Sequence, residues 1–172
     1  DREFWRTHCN MDHFVYLSLT SGVKVGITRH TNIPDRWIDQ GAVKGLIIAK
    51  VPERILSGQI EVILAEHFAD KTNWRKMLKG GVEEVDLLAL RDKAHELIPE
   101  SLKKYVVKGE TVQELVYPVQ SVPEKITSHN LDKTPEFTDR LTGIKGQYLI
   151  FETRVINMRK YTGYHVEFDC SE

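Results

Sequence analysis

The sequence predicts an α+β fold: a small antiparallel sheet flanked by helices, followed by a β-rich C-terminal unit. Three observations predict it. Residues 14–28, FVYLSLTSGVKVGIT, alternate in character on either side of Thr20-Ser21-Gly22, which is the mark of a β-hairpin. Residues 56–68 bring Leu56, Ile60, Ile63, Leu64 and Phe68 onto one helical stripe. Residues 143–151 and 155–168 return to strand-like stretches rich in β-branched and aromatic residues.

The hairpin is the most constrained element. A three-residue loop with Gly last suits a type I turn followed by a left-handed residue. That loop pairs Leu19 with Val23, Leu17 with Val25 and Val15 with Ile27, so the apolar partners share one face. The other face carries Ser18 beside Lys24, Tyr16 beside Gly26 and Phe14 beside Thr28. A slip of one residue mixes the faces, so the pattern itself selects the register.

A short helix follows over NIPDRWIDQGA, with Asn32 as the expected cap, Pro34 in the first turn and Gly41 at the end. Residues 45–51, GLIIAKV, read as a third strand. After the helix at 56–68 and the break at Lys79-Gly80-Gly81, residues 82–97 read as a second amphipathic helix closed by Pro99. Beyond it, residues 111–119 read as strand, 121–135 as polar and turn-rich, and Thr162-Gly163 as a turn inside the last strand-like stretch. The expected division is a remnant of an upstream segment at 1–12, an α/β domain at 13–108 and a β-rich unit at 109–172.

Composition narrows the function classes. Charged residues at 28% and hydrophobic residues at 41% describe an ordinary globular protein. No apolar run approaches the roughly 20 residues that span a bilayer, and no signal-peptide pattern opens the chain, so a cytoplasmic protein without a membrane partner is expected. Asp1 rather than Met leads the sequence, which suggests an upstream segment. The two cysteines, Cys9 and Cys170, make no disulfide framework and are expected to be reduced. The net charge of -1 excludes a strongly basic nucleic-acid binder. Residues 1–80, however, carry 12 Lys/Arg against 9 Asp/Glu, a local excess that permits phosphate contacts.

The chemistry is expected on the polar face of the hairpin. Tyr16 stands opposite Gly26, a phenol beside a bare patch that lets an anionic substrate approach. Lys24, Arg29, His30 and Arg36 supply positive charge around it, and Arg36 has the planar fork that grips phosphate oxygens. Glu61 falls at the edge of the helical apolar stripe, where a carboxylate holds a hard divalent cation through oxygen. His30 is a candidate substitute base, because imidazole titrates near neutrality. The simpler alternatives are a half-buried aromatic for Tyr16, a surface ion pair for Arg36 with Asp35 or Asp39, and a charge contact for Glu61 with Arg54 or Lys71. Trp5, Trp37 and Trp74 are expected in the core or at an interface, with Asn73-Trp74 against the site as a further possibility.

These residues carry a resemblance. Val15-Tyr16-Leu17, then Lys24-Val25-Gly26-Ile27-Thr28, then Arg36 and Glu61, resemble the GIY-YIG nuclease superfamily over residues 13–80, and most of all its branch with a K-[VI]-G-x-T second motif. HFVYLSLTSGVKVGITRHTNIPDRWIDQGA, DKTNW, GIKGQYLIF and INMRK are similar, over nearly the whole chain, to a bacterial domain-of-unknown-function family, number 2797. The superfamily resemblance implies a nucleic-acid phosphodiesterase, on DNA or RNA, that uses one Mg²⁺ or Mn²⁺. Carried over by motif, it implies Tyr16, Gly26 and Arg36 at the active face and Glu61 as the metal ligand; with the polar-face reading above, the expected catalytic set is Tyr16, Lys24, Arg36 and His30, with Gly26, Thr28 and Arg29 as substrate contacts. Lys24 stands where the superfamily has its second tyrosine. The rival expectation is therefore a module that kept the fold but only binds nucleic acid or a protein partner. The second resemblance implies an upstream Cys-rich segment, in which case Cys9 completes a zinc site with ligands from that segment.

Overall fold

The computed structural model describes residues 1–68 and 71–170; the helix expected over 56–68 runs Arg54–Ala65, and Phe68 lies just beyond its end. The chain divides into two compact units, Asp1–Val116 and Tyr117–Glu172.

The first unit is built on a four-stranded antiparallel sheet in the order β2-β1-β3-β4. Its strands are β1 (His13–Leu19), β2 (Val23–Arg29), β3 (Lys44–Val51) and β4 (Gln113–Glu114). The hairpin register is the one the alternation selects, running from His13 opposite Arg29 to Leu19 opposite Val23. One face of the sheet buries Val15, Leu17, Val25, Leu46 and Ile48 against two helices. These are α3 (Arg54–Ala65), through Ile60 and Leu64, and α5 (Leu87–Leu97), through Leu87 and Ala94. Each such aliphatic side chain contributes about 1.5–3 kcal/mol when fully buried, which makes this face the main source of stability.

The second face is not an open polar surface as the alternation suggests. The short helix α2 (Asp35–Asp39) lies over it, and its Trp37 packs with Tyr16, Ala42 and Ile47. Trp37 fits because Gly45 carries no side chain: a Cβ there would sit 2.5 Å from the indole. Asn32 does not cap this helix. Its Oδ1 accepts from Thr31 Oγ1 instead, and the carbonyl of Pro34 starts the turn by accepting from the Trp37 N–H at 2.8 Å. Gly41 ends the segment with φ +69°.

Other differences have local causes. The predicted 82–97 helix begins only at Leu87, because Asp86 caps it through the N–H groups of Leu88 and Ala89. Gly80 and Gly81, both at positive φ, lie ahead of the non-helical stretch that leads to Asp86. An unforeseen helix, α4 (Trp74–Lys79), is capped by Asn73, whose Oδ1 accepts from the Lys76 N–H at 3.1 Å. Residues 72–73 clasp the hairpin turn: Thr72 Oγ1 lies 3.1 Å from Thr20 Oγ1, and the Asn73 N–H donates to Ser21 Oγ at 2.8 Å. At the N-terminus Asp1 caps α1 (Arg2–Phe4), which widens into a π-helical coil over Trp5–Cys9. Trp5 is exposed there, not in a core.

The second unit is a three-stranded antiparallel sheet of β5 (Leu141–Lys145), β6 (Tyr148–Phe151) and β7 (Val155–Asn157). The stretch read as one strand over 143–151 folds back on itself at Gly146, whose φ is +58°. Only residues 113–114 of the strand-like 111–119 stretch are strand, and they pair with β3 in the first unit. The last stretch leaves the sheet at Asn157, whose side chain caps a 3-10 turn over Met158–Tyr161. Gly163 then turns the chain with φ +88°. Among the described residues no helix is long and apolar enough to cross a membrane.

Candidate functional site

The first unit contains a cleft of about 750 Å³. Strands β1 and β2 supply His13, Tyr16, Lys24, Gly26, Thr28 and Arg29 to its walls. Helix α2 and its end supply Arg36 and Gln40, α3 supplies Arg54 and Glu61, and the N-terminal coil supplies Phe4, His8 and Cys9.

Local sequence explains the convergence. Tyr16 and Gly26 are cross-strand neighbours, so the phenol has room to lie across the hairpin. Trp37 anchors α2 on the same face, meeting the Tyr16 ring edge-on at 5.8 Å between centroids. Arg36 precedes Trp37 and is thereby carried to the cleft wall. Glu61 follows Ile60, which is buried in the core, so the helical turn brings the carboxylate to the border of the packed stripe.

Tyr16 is fully buried, and its hydroxyl donates to Gln40 Oε1 at 3.3 Å. Burial pushes the phenol pKa above its ordinary value. The Arg36 charge and hydrogen bonds with Gln40 and Arg36 pull the other way, while the Glu61 charge raises it further. The result is a phenol that keeps its proton and offers it as a hydrogen-bond donor. The space above Gly26 is therefore not open to substrate: the Tyr16 ring fills it.

Charge in the cleft is strongly one-sided. Lys24, Arg29, Arg36 and Arg54 line it against one carboxylate, Glu61. Such a concentration of cations in one cleft suits an anionic ligand. Among the described residues no group of three or more His, Cys, Asp or Glu side chains is placed to hold a metal ion. A hard divalent cation that binds through one carboxylate, water and substrate phosphate needs only Glu61.

Of the residues singled out in sequence, Tyr16, Lys24, Gly26, Thr28, Arg29, Arg36 and Glu61 all line the cleft. His30 does not. It is exposed directly after β2, its Nδ1 is 3.1 Å from the Asp12 carbonyl, and its ring meets Phe14 edge-on. Asn73 and Trp74 hold the hairpin turn and α4 instead of the cleft. The sequence patterns give no site signal for Phe4, His8, His13 or Gln40, which also line the cleft. His13 is buried at the start of β1. Its Nδ1 donates to the Met11 carbonyl at 2.7 Å, and its Nε2 has no hydrogen-bond partner among the described residues. Nothing in a lone His before a strand signals that arrangement. Phe4 was equally invisible, because no periodicity ties a helical turn at residue 4 to a sheet face.

No curated protein and no solved structure matches the chain. A family model described as "Protein of unknown function (DUF2797)" matches residues 1–166, and the chain belongs to that family.

Proposed function

We propose that the first unit is a GIY-YIG-type domain that binds nucleic acid in this cleft and cleaves a phosphodiester bond. The observation that carries the reading is the meeting of Tyr16, Lys24, Arg36 and Glu61, drawn from two strands and two helices, in one cation-rich hollow. In this reading the Arg36 fork binds two phosphate oxygens, Lys24 adds a point charge, and the protonated Tyr16 hydroxyl turns from Gln40 Oε1 to donate to the phosphate or to the attacking water. Glu61 holds one Mg²⁺ or Mn²⁺, and that ion, when bound, offsets charge developing on the phosphate. His30 takes no part.

The test is cleavage of labelled single-stranded, branched and duplex DNA and RNA with Mg²⁺ or Mn²⁺. Arg36→Ala and Glu61→Ala are each expected to slow cleavage by about 10²–10³-fold, the usual cost of a lost electrostatic group. Cleavage that persists unchanged in both variants places the activity elsewhere.

A second reading is supported by Lys24, which occupies the place of the superfamily's second tyrosine, and by burial that keeps Tyr16 protonated. Under it the same cleft binds nucleic acid without turnover. Salt-sensitive binding with no cleavage under any metal condition selects it over the first.

A further inference from the structure

Phe4 and His8 form a parallel stack, with ring centroids 4.2 Å apart and planes within 10° of each other. Both line the cleft, and Phe4 remains 55% exposed. The stack is held in place. The Thr7 hydroxyl gives its proton to the Glu3 carbonyl at 2.7 Å, so its oxygen accepts from His8 Nδ1–H at 2.8 Å and fixes the imidazole plane. Asp1 in turn caps the coil through the Glu3 and Phe4 N–H groups. One ring thus backs the other and offers an aromatic surface in a cleft whose lining also carries Lys24, Arg29 and Arg36.

Cations and an exposed aromatic face in one hollow suit a ligand with an anionic part and a flat part. A nucleotide has both. In a duplex the flat part is already stacked and only phosphate is presented, whereas an unpaired base can leave its neighbours and lie on a ring. The cleft volume of about 750 Å³ is also that of a pocket for a compact ligand, not of a trough for a helix.

We infer that the Phe4–His8 stack is a base-stacking ledge, and that the cleft takes single-stranded nucleic acid, with an unpaired base on Phe4 and the adjoining phosphates on Arg36 and its neighbours. This rests on the phosphate-binding reading above and adds the strand state of the substrate.

Binding is measured by fluorescence anisotropy of labelled single-stranded DNA, in chelator so that no cleavage intervenes. The comparison strand has the same phosphates but abasic sugars. The native chain is expected to bind the intact strand about tenfold more tightly than the abasic one, the scale of one base–aromatic stack. Phe4→Ala removes that preference, Phe4→Trp keeps it, and Arg36→Ala weakens both strands alike. The inference is overturned if the native chain and Phe4→Ala bind intact and abasic strands equally while Arg36→Ala still weakens binding; the cleft then takes phosphate but no base. Absence of binding to either strand overturns both this inference and the phosphate-binding reading.

Discussion

The ring of Tyr16 occupies the space that a side chain at position 26 would need. A Cβ built on Gly26 comes 2.6 Å from the phenol oxygen and 2.7 Å from the carbon that bears it. The glycine is a seat for the phenol, and the two residues act as one unit.

Gly26→Ala should therefore destabilise the first unit by about 1–3 kcal/mol, the cost of overpacking a closed region. Urea unfolding measures it. The cost should shrink in a Tyr16→Ala background, because the clash is pairwise, and a double-mutant cycle reads the coupling directly. Equal costs in both backgrounds would show that the ring is not what excludes the methyl.

Tyr16 also links stability to alkaline pH. Burial raises its pKa in the folded chain above the ordinary 10.0, so the unfolded chain loses the phenol proton first. The stabilisation is complete below that value and is lost as pH rises through the folded pKa. Comparison of the native chain with Tyr16→Phe isolates the effect: the native chain should lose stability relative to the variant only above pH 10.0.

His95 should produce an acid-side dependence. Its Nε2 donates to the Ile48 carbonyl at 2.8 Å and ties the end of α5 to β3. Burial lowers its pKa from 6.5, with the bond to Ile48 and the nearby Asp92 opposing and Arg91 and Lys108 assisting. The unfolded chain then takes up the proton first as pH falls. Stability should be full above pH 6.5 and decline from there through the folded pKa. His95→Gln is expected to flatten that limb of the unfolding midpoint against pH.

Arg36 provides a binding prediction that needs no turnover. Each phosphate contact releases condensed counterions, so the logarithm of affinity falls linearly with the logarithm of salt concentration. Arg36→Ala should make that slope shallower by about one contact, while substitution of exposed Lys133 in the second unit should leave it unchanged.

The legible parts of this chain are those in which local pattern and tertiary structure agree. The hairpin register followed from alternation and loop length, because every pair from Phe14–Thr28 to Leu19–Val23 had to keep its apolar face intact. Tyr16, Arg36 and Glu61, which the superfamily resemblance sets together, line one cleft. What failed was the inference that a mixed face is an exposed one. Phe14, Tyr16 and Ser18 alternate with the apolar residues of the hairpin, yet Tyr16 and Ser18 are buried, because one indole on α2 covers this side of the sheet. A single Trp37 has no periodicity to announce that role. The break between β5 and β6 was equally hidden. Gly146 was read as part of a strand, and only its left-handed conformation makes it a turn.

The wall formed by Phe4, His8 and Cys9 has a practical consequence for handling the molecule. Whatever peptide is joined ahead of Asp1 begins within one helical turn of Phe4, a residue of that wall. A purification handle there is poised to crowd the entrance, so assays are best run with the handle at the opposite end or removed, and a trim of the first ten residues would strip away one side of the chamber.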